Sequence, residues 1–433
     1  MGIINIYINA SPRISESRMF ATKLFSRRQR HSTKNVPQSG VDSRLYAVPL
    51  AALSRYIMGC ILVSLGIFVS ATGGSWDITN HLLNKPESFF SAPHGMLYTG
   101  VASAILGCVV ISRQCRHTHG FYQSLRKSTT LVITGIAMLV VAGPVDFAWH
   151  SAFGLDGLLS PPHFVLLTGM VISSIGSLIG LIVLTGSTEL NHESNIKNVS
   201  PLDDRRISAF LIFVRPPIAM FLTVMGIIPV WLSLSGLIGM FSLPFSKTQY
   251  FDFNPDPYIG AVVATVGYPV LLSLILISSL RLGKNTFGVI SITALIYVVI
   301  SAVTVIIPND SLIPTLPFYL LNLVPIVAVD VLLTIAKSTF PNSIYIIGGA
   351  ILGSVFFMMQ YPLITHVYNE VVARQSFVWP SLTSSTYFGM IGDVYPLVAV
   401  PGATMGIVGA IAANSLVYKR FLSIAKSKQL DGR

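Results

Sequence analysis

The sequence predicts an all-α, polytopic integral membrane protein of about ten transmembrane helices. Three observations carry that prediction. Of 433 residues, 52% are hydrophobic and only 10% charged, with a mean hydropathy of +0.69; this excludes a soluble multidomain protein, a disordered chain or a disulfide-stapled secreted module. Apolar stretches of about 20 residues, enough to cross the hydrocarbon core, occur near 50–73, 94–112, 129–149, 163–186, 216–239, 258–280, 287–307, 314–336, 343–364 and 394–418. An even number of spans puts both termini on one side. If that side is cytoplasmic, the inner segments 1–44, 113–127, 187–206, 281–285, 337–341 and 419–433 hold 23 of the 28 Lys and Arg, and the outer loops hold only Lys85, Lys247 and Arg374. That asymmetry predicts a multi-pass plasma-membrane protein with both termini cytoplasmic.

In chain order, residues 1–44 are basic and lack an apolar core of signal-peptide length, so they read as a cytoplasmic tail resting on anionic lipid. Residues 45–190 hold the first four spans, and 191–433 a six-helix bundle. Residues 205–217, bounded by Arg205, Arg206, Arg215 and the Pro216-Pro217 pair, read as an interfacial helix before the fifth span. Gly349 with Gly353, and Gly402 with Gly406, are small-xxx-small pairs suited to close helix packing. Cys60, Cys108 and Cys115 have no framework spacing and read as small apolar residues. The net charge of +11 follows from the inner-face bias and implies the lipid bilayer, not nucleic acid, as partner. The outer side instead holds nine acids: Asp77, Glu87, Asp146, Asp156, Asp252, Asp256, Asp310, Glu370 and Asp393. Against three bases, they make a field that concentrates cations.

The first four spans contain an internal repeat. One copy, about 50–113, reads Asp77, His81, Glu87, Ser91, Pro93, His94, Thr99 and Gly100; the other, about 119–186, reads Asp146, His150, Asp156, Ser160, Pro162, His163, Thr168 and Gly169, each 69 residues later and without a gap. Both contain Asp-x3-His-x12-His. A 69-residue unit holding two spans keeps its orientation, so the copies are expected as parallel repeats of a helical hairpin about a pseudo-twofold axis. Asp and His four apart share a helix face, and Ser-x-Pro-His opens the next helix. Each hairpin is thus expected to gather an Asp/His/His set at its outer mouth, as two separate mononuclear sites with Glu87 and Asp156 fixing ligand imidazoles from behind.

Two imidazoles and a carboxylate suit a transition metal such as copper, zinc or iron, and leave positions for water or substrate. The bland alternative is that these side chains only hydrogen-bond between hairpins. The motif resembles the metal triad of the C subunit of the copper membrane monooxygenases, in which Asp and the first His share a helix and the second His comes from the following segment. The resemblance falls on Asp77, His81 and His94, and equally on Asp146, His150 and His163. It implies copper, redox chemistry and other membrane subunits of a redox complex, with the chain an oxidoreductase or a subunit of one. It covers 18 positions per copy; the chain departs from that family in its two triads, its ten spans and a second half outside the resemblance.

Other readings stand beside it. The residue types are similar to those of intramembrane zinc hydrolases of the ceramidase and progestin-receptor-like type. In that reading Ser91 or Ser160 acts with Asp77 or Asp146, although these serines read first as helix caps. Transport of a metal or cation is suggested by Asp330, an ionisable residue inside the eighth span, with pairing to a neighbouring helix or to Lys337 as its structural alternative. His366, Asn369 and Glu370 are further outer candidates, and Cys115, His117 and His119 read as a solvated inner loop.

Overall fold

The structure is a computed structural model that describes residues 50–82, 85, 88, 90–117, 119–154, 159–195, 216–242, 257–283, 285–310, 313, 316–336, 343–355 and 399–418. Among these residues every regular element is helical. The helices are α1 (Leu50–Leu82), α2 (Ala92–His117), α3 (His119–Phe153), α4 (Pro161–Asn195), α5 (Pro216–Ser242), α6 (Pro257–Leu282), α7 (Val289–Ile306), α8 (Leu316–Leu321), α9 (Leu323–Ala336) and α10 (Ser343–Val355). An apolar helix α11 (Ala399–Ser415) follows, ending in a π-helical turn over Ala413–Tyr418. Among the described residues eight helical segments are long and apolar enough to cross a membrane, α1 to α7 and the run Tyr319–Ala336 that takes in the end of α8 and all of α9, and α10 and α11 are shorter apolar helices at the expected ninth and tenth positions. The expected interfacial helix at 205–217 lies outside the described residues except for Pro216 and Pro217, which open α5.

The first four helices are long for a physical reason. A 33-residue helix such as α1 extends about 50 Å, whereas the hydrocarbon core is about 30 Å thick. One helix can therefore cross the bilayer and still carry polar side chains beyond it.

Each hairpin closes through glycine. In α1/α2, a Cβ at Gly66 would stand 2.5 Å from the Gly100 carbonyl oxygen and the Ala104 nitrogen, and Gly59 and Gly73 face Gly107 and Leu97 along the same seam. In α3/α4, a Cβ at Gly135 would stand 2.6 Å from the Gly169 carbonyl oxygen and 2.5 Å from the Ser173 nitrogen. Gly135 follows Gly66 by 69 residues, as Gly169 follows Gly100. Lipid offers no hydrophobic drive for helix association, so backbone approach of this kind and interhelical hydrogen bonds hold the pairs.

Between the hairpins α1 packs on α4 and α2 on α3, around a buried hydroxyl network. Ser64 donates to Ser177, which donates to the Cys60 carbonyl (both 2.7 Å). Tyr56 donates to Ser128 (3.0 Å), which donates to the Gly176 carbonyl (2.7 Å). Cys115 lies 3.2 Å from Thr129 on this network and is buried within α2. The expectation of a solvated loop is therefore corrected for Cys115, because α2 continues through it; His117 and His119 have side chains outside the described residues.

The remaining helices share one apolar core, contributed by α5, α6, α7, α9, α10 and α11 and joined by Leu178 of α4. The small-residue pairs pack as expected: Gly349 faces Gly406, and Gly353 faces Gly402. The expected eighth span is broken at Asn322, between α8 and α9, since Pro325 has no N–H to offer the Leu321 carbonyl.

Gly135→Ala should cost about 1–3 kcal/mol, because the added methyl meets backbone. Gly143→Ala on the same helix, where a Cβ meets nothing within 4 Å, should be neutral or slightly stabilising. Thermal unfolding in detergent checks the pair; equal effects would show that the seam does not hold the hairpin.

Candidate metal centre

All the Asp/His elements lie at one end of the four-helix bundle, at the C-terminal ends of α1 and α3 and the N-terminal ends of α2 and α4. In the second hairpin, Asp146 and His150 are one turn apart on α3, and His163 sits in the first turn of α4. Asp146 Oδ1 stands 3.6 Å from His150 Nε2 and 3.4 Å from His163 Nε2. One ligand atom from each of the three residues lies within 4.8 Å of the others, and all three residues are half-buried. Donors about 2.0–2.1 Å from a tetrahedral ion stand roughly 3.3 Å apart, so both carboxylate–imidazole separations are near ligand spacing. Three protein ligands leave a fourth position open.

The first hairpin places His94 Nε2 3.2 Å from Asp77 Oδ2. His81 lies one turn beyond Asp77 on α1, but its side chain is outside the described residues. Glu87 and Asp156, expected behind the ligands, are also outside them, as are His366, Asn369 and Glu370.

The groups found behind the imidazoles are backbone carbonyls that the sequence reading missed. His94 Nδ1 is 2.9 Å from the Ser88 carbonyl, and His150 Nδ1 is 3.1 Å from the Gly154 carbonyl. A carbonyl only accepts, so Nδ1 carries the proton in both rings. In the neutral tautomer each Nε2 lone pair then faces a carboxylate oxygen, an arrangement of two acceptors. A cation in the gap resolves it, either a second imidazole proton or a metal ion, and a carbonyl behind the ring is the usual support of a metal-bound histidine. Gly154, four residues after His150 and with φ of 77°, was the available signal: a helix-ending glycine whose turn brings its carbonyl beneath the imidazole.

Further polar atoms gather around the second set. Asp146 Oδ1, His163 Nδ1 and Ser160 Oγ are buried without a hydrogen-bond partner, and Ser91 Oγ shares that condition in the first hairpin. The expected cap role of these serines is corrected: neither hydroxyl makes a capping bond. Tyr98, one turn after His94 and stacked on it at 6.0 Å, lies within electrostatic reach of both Asp77 and Asp146. Its counterpart 69 residues on is Leu167, so the two sets differ in their surroundings.

Asp330, the residue that suggested transport, is fully buried, and its Oδ2 accepts from the Gly288 and Ser291 N–H groups (3.0 Å each) and the Ser291 hydroxyl (2.7 Å). It caps α7, whose own N-cap position is Gly288 and supplies no side chain. Pairing with a neighbouring helix, one of the structural alternatives weighed for it, is observed; Lys337, the other, lies outside the described residues.

No protein-family model, curated protein or solved structure matches the chain, so function is read from the side chains themselves.

Gly154→Asn, which tolerates a left-handed backbone, should keep the carbonyl under His150 and preserve affinity for a divalent metal. Gly154→Val should lower it about tenfold, the low end for loss of a supporting bond. Isothermal titration of the two variants measures this; equal affinities would remove the carbonyl from the site.

Proposed function

We propose that the chain is a transition-metal-binding membrane protein linked to redox chemistry, with copper the favoured metal. Asp146, His150 and His163 hold one ion, and Asp77, His81 and His94 hold another. The observation that carries this reading is the convergence of Asp146, His150 and His163, with one ligand atom of each within 4.8 Å of the others and His150 Nε2 facing the carboxylate while its Nδ1 is held by the Gly154 carbonyl. The matched Asp77–His94 pair supports it from the other hairpin. A bound copper would supply one-electron chemistry at an open coordination position. The chain's own residues bind and orient: Ser88 and Gly154 fix the rings, and Asp77 and Asp146 supply the negative charge.

Duplication of an ancestral hairpin accounts for both the sequence repeat and the glycine contacts recurring at the same interval. With ten spans and both termini cytoplasmic, the sites lie at the outer face of the plasma membrane. Other membrane subunits, as in the copper monooxygenases that the motif resembles, would supply the rest of a redox reaction.

A zinc-dependent hydrolase is the second reading. It is supported by the Ser160 and Ser91 hydroxyls, buried and unbonded three residues before a ligand histidine in each hairpin.

Metal analysis of the detergent-purified chain should find up to two transition-metal ions, falling by one in His163→Ala and by one in His94→Ala, with near-normal thermal stability. Equal metal content in wild type and the double variant would falsify the sites. Bound zinc with esterase or amidase turnover would select the hydrolase.

Topology is tested separately. Cysteines at Glu87, Asp156 and Asp310 should react with an impermeant thiol reagent from outside intact cells. Labelling only after permeabilisation would reverse the orientation.

A further inference from the structure

We propose that α7 is a brace that holds Asp77 and His94 in place, with Asp330 as the positioning residue at its far end; this rests on the metal-binding reading of that pair. The two ends of α7 are tied differently. At its start, Asp330 of α9 supplies the cap that Gly288 cannot, taking the Ser291 N–H as an N-cap side chain would. Negative charge there also complements the positive end of the helix dipole. At the other end α7 touches the elements that carry the first ligand pair. Ser75 donates to Thr304 (3.1 Å), and Thr304 is buried and passes its own proton to the Ile300 carbonyl (3.0 Å). Ser75 lies two residues before Asp77 on α1. Just beyond α7, the Pro308 carbonyl accepts from Lys85 Nζ.

Lys85 lies between α1 and α2, as does Ser88. The Ser88 carbonyl accepts from both His94 Nδ1 and the Ser91 N–H, 2.9 Å each. One tether therefore reaches the helix that carries the Asp, and the other reaches the connection that fixes the His ring. An 18-residue helix spans about 27 Å and resists bending, so a shift at its capped end is delivered at the tethers. Among the described residues neither tether reaches the second hairpin, and α7 packs chiefly on α1, α5, α6, α8 and α9. Through these tethers α7 acts on one of the two sites.

The test isolates each site in the full-length protein. With the second site removed by His163→Ala, adding Ser75→Ala, Lys85→Met or Asp330→Ala should each weaken copper or zinc binding at the first site about tenfold, as loss of supporting bonds does. Asp330→Asn, which can still accept the two N–H bonds, should restore most of the affinity. With the first site removed by His94→Ala, the same changes should leave the second site within about twofold, the spread expected of uncoupled positions.

A metal-free readout runs beside it: hydrogen exchange in 75–95 should rise in Asp330→Ala while 146–163 stays protected. Absence of metal in both backgrounds would overturn the metal reading, and the exchange data would still judge the brace. Metal binding with no selective loss at the first site, or exchange that rises equally in both segments, would overturn the brace.

Discussion

Backbone-to-backbone contact within each hairpin is the constraint on which the site depends. His94 and His163 begin helices that return from the mouth of a hairpin, and each must come within a few ångströms of a carboxylate on the outgoing helix. Side chains of ordinary size along the seam would part the helices and open that gap. Gly66 against Gly100, and Gly135 against Gly169, let the backbones touch, and the register of those contacts sets which turn of one helix faces which turn of the other. Asp77 meets His94, and Asp146 meets His163, because the seam aligns them.

A second constraint is electrostatic. Imidazoles whose Nδ1 protons are committed to backbone carbonyls present lone pairs to carboxylates, and that is stable only with positive charge between them. The Ser88 and Gly154 carbonyls therefore do more than orient rings: they leave each Nε2 facing a carboxylate oxygen, where an imidazole proton or a metal ion supplies that charge. The same logic separates these residues from Asp330. Its Oδ2 meets three donors, two N–H groups at the α7 terminus and the Ser291 hydroxyl, while its Oδ1 is buried without a hydrogen-bond partner among the described residues. An ionisable residue in a membrane span can thus be architectural where a helix end supplies its counter-charge.

The C-terminal helices pack against the duplicated module through α4 and α5, and through α7 against α1. Their core is built on one apolar cluster, with buried Ser and Thr hydroxyls along the helices and Asp330 among them. Arg281 lies over the Tyr345 ring at 3.6 Å and donates to Asn414, while Tyr345 donates to Asn285 (2.9 Å) in the turn before α7. These contacts tie α6, α10 and α11 to the end of α7 that Asp330 caps.

Much of this was legible in the chain itself. Hydropathy marks the helices because a spanning segment must satisfy its own backbone, and the glycine pairs at Gly349/Gly353 and Gly402/Gly406 declare close packing because nothing larger fits. The Asp-x3-His-x12-His pattern at one interval names the residues that converge, since four residues are one helical turn and the interval returns the chain to the same face. What the tertiary structure decided is which partner each polar atom meets. Ser91 and Ser160 stand where caps belong yet leave their hydroxyls unbonded, and Cys115 reads as part of a loop yet lies in the bundle interior. The carbonyls of Ser88 and Gly154 carry no residue signature because every residue has one, and the bond from Asp330 to a helix 39 residues earlier depends on how two distant helices pack. Local sequence specifies periodicity and turn chemistry, whereas hydrogen-bond partners across helices follow from packing, which is non-local.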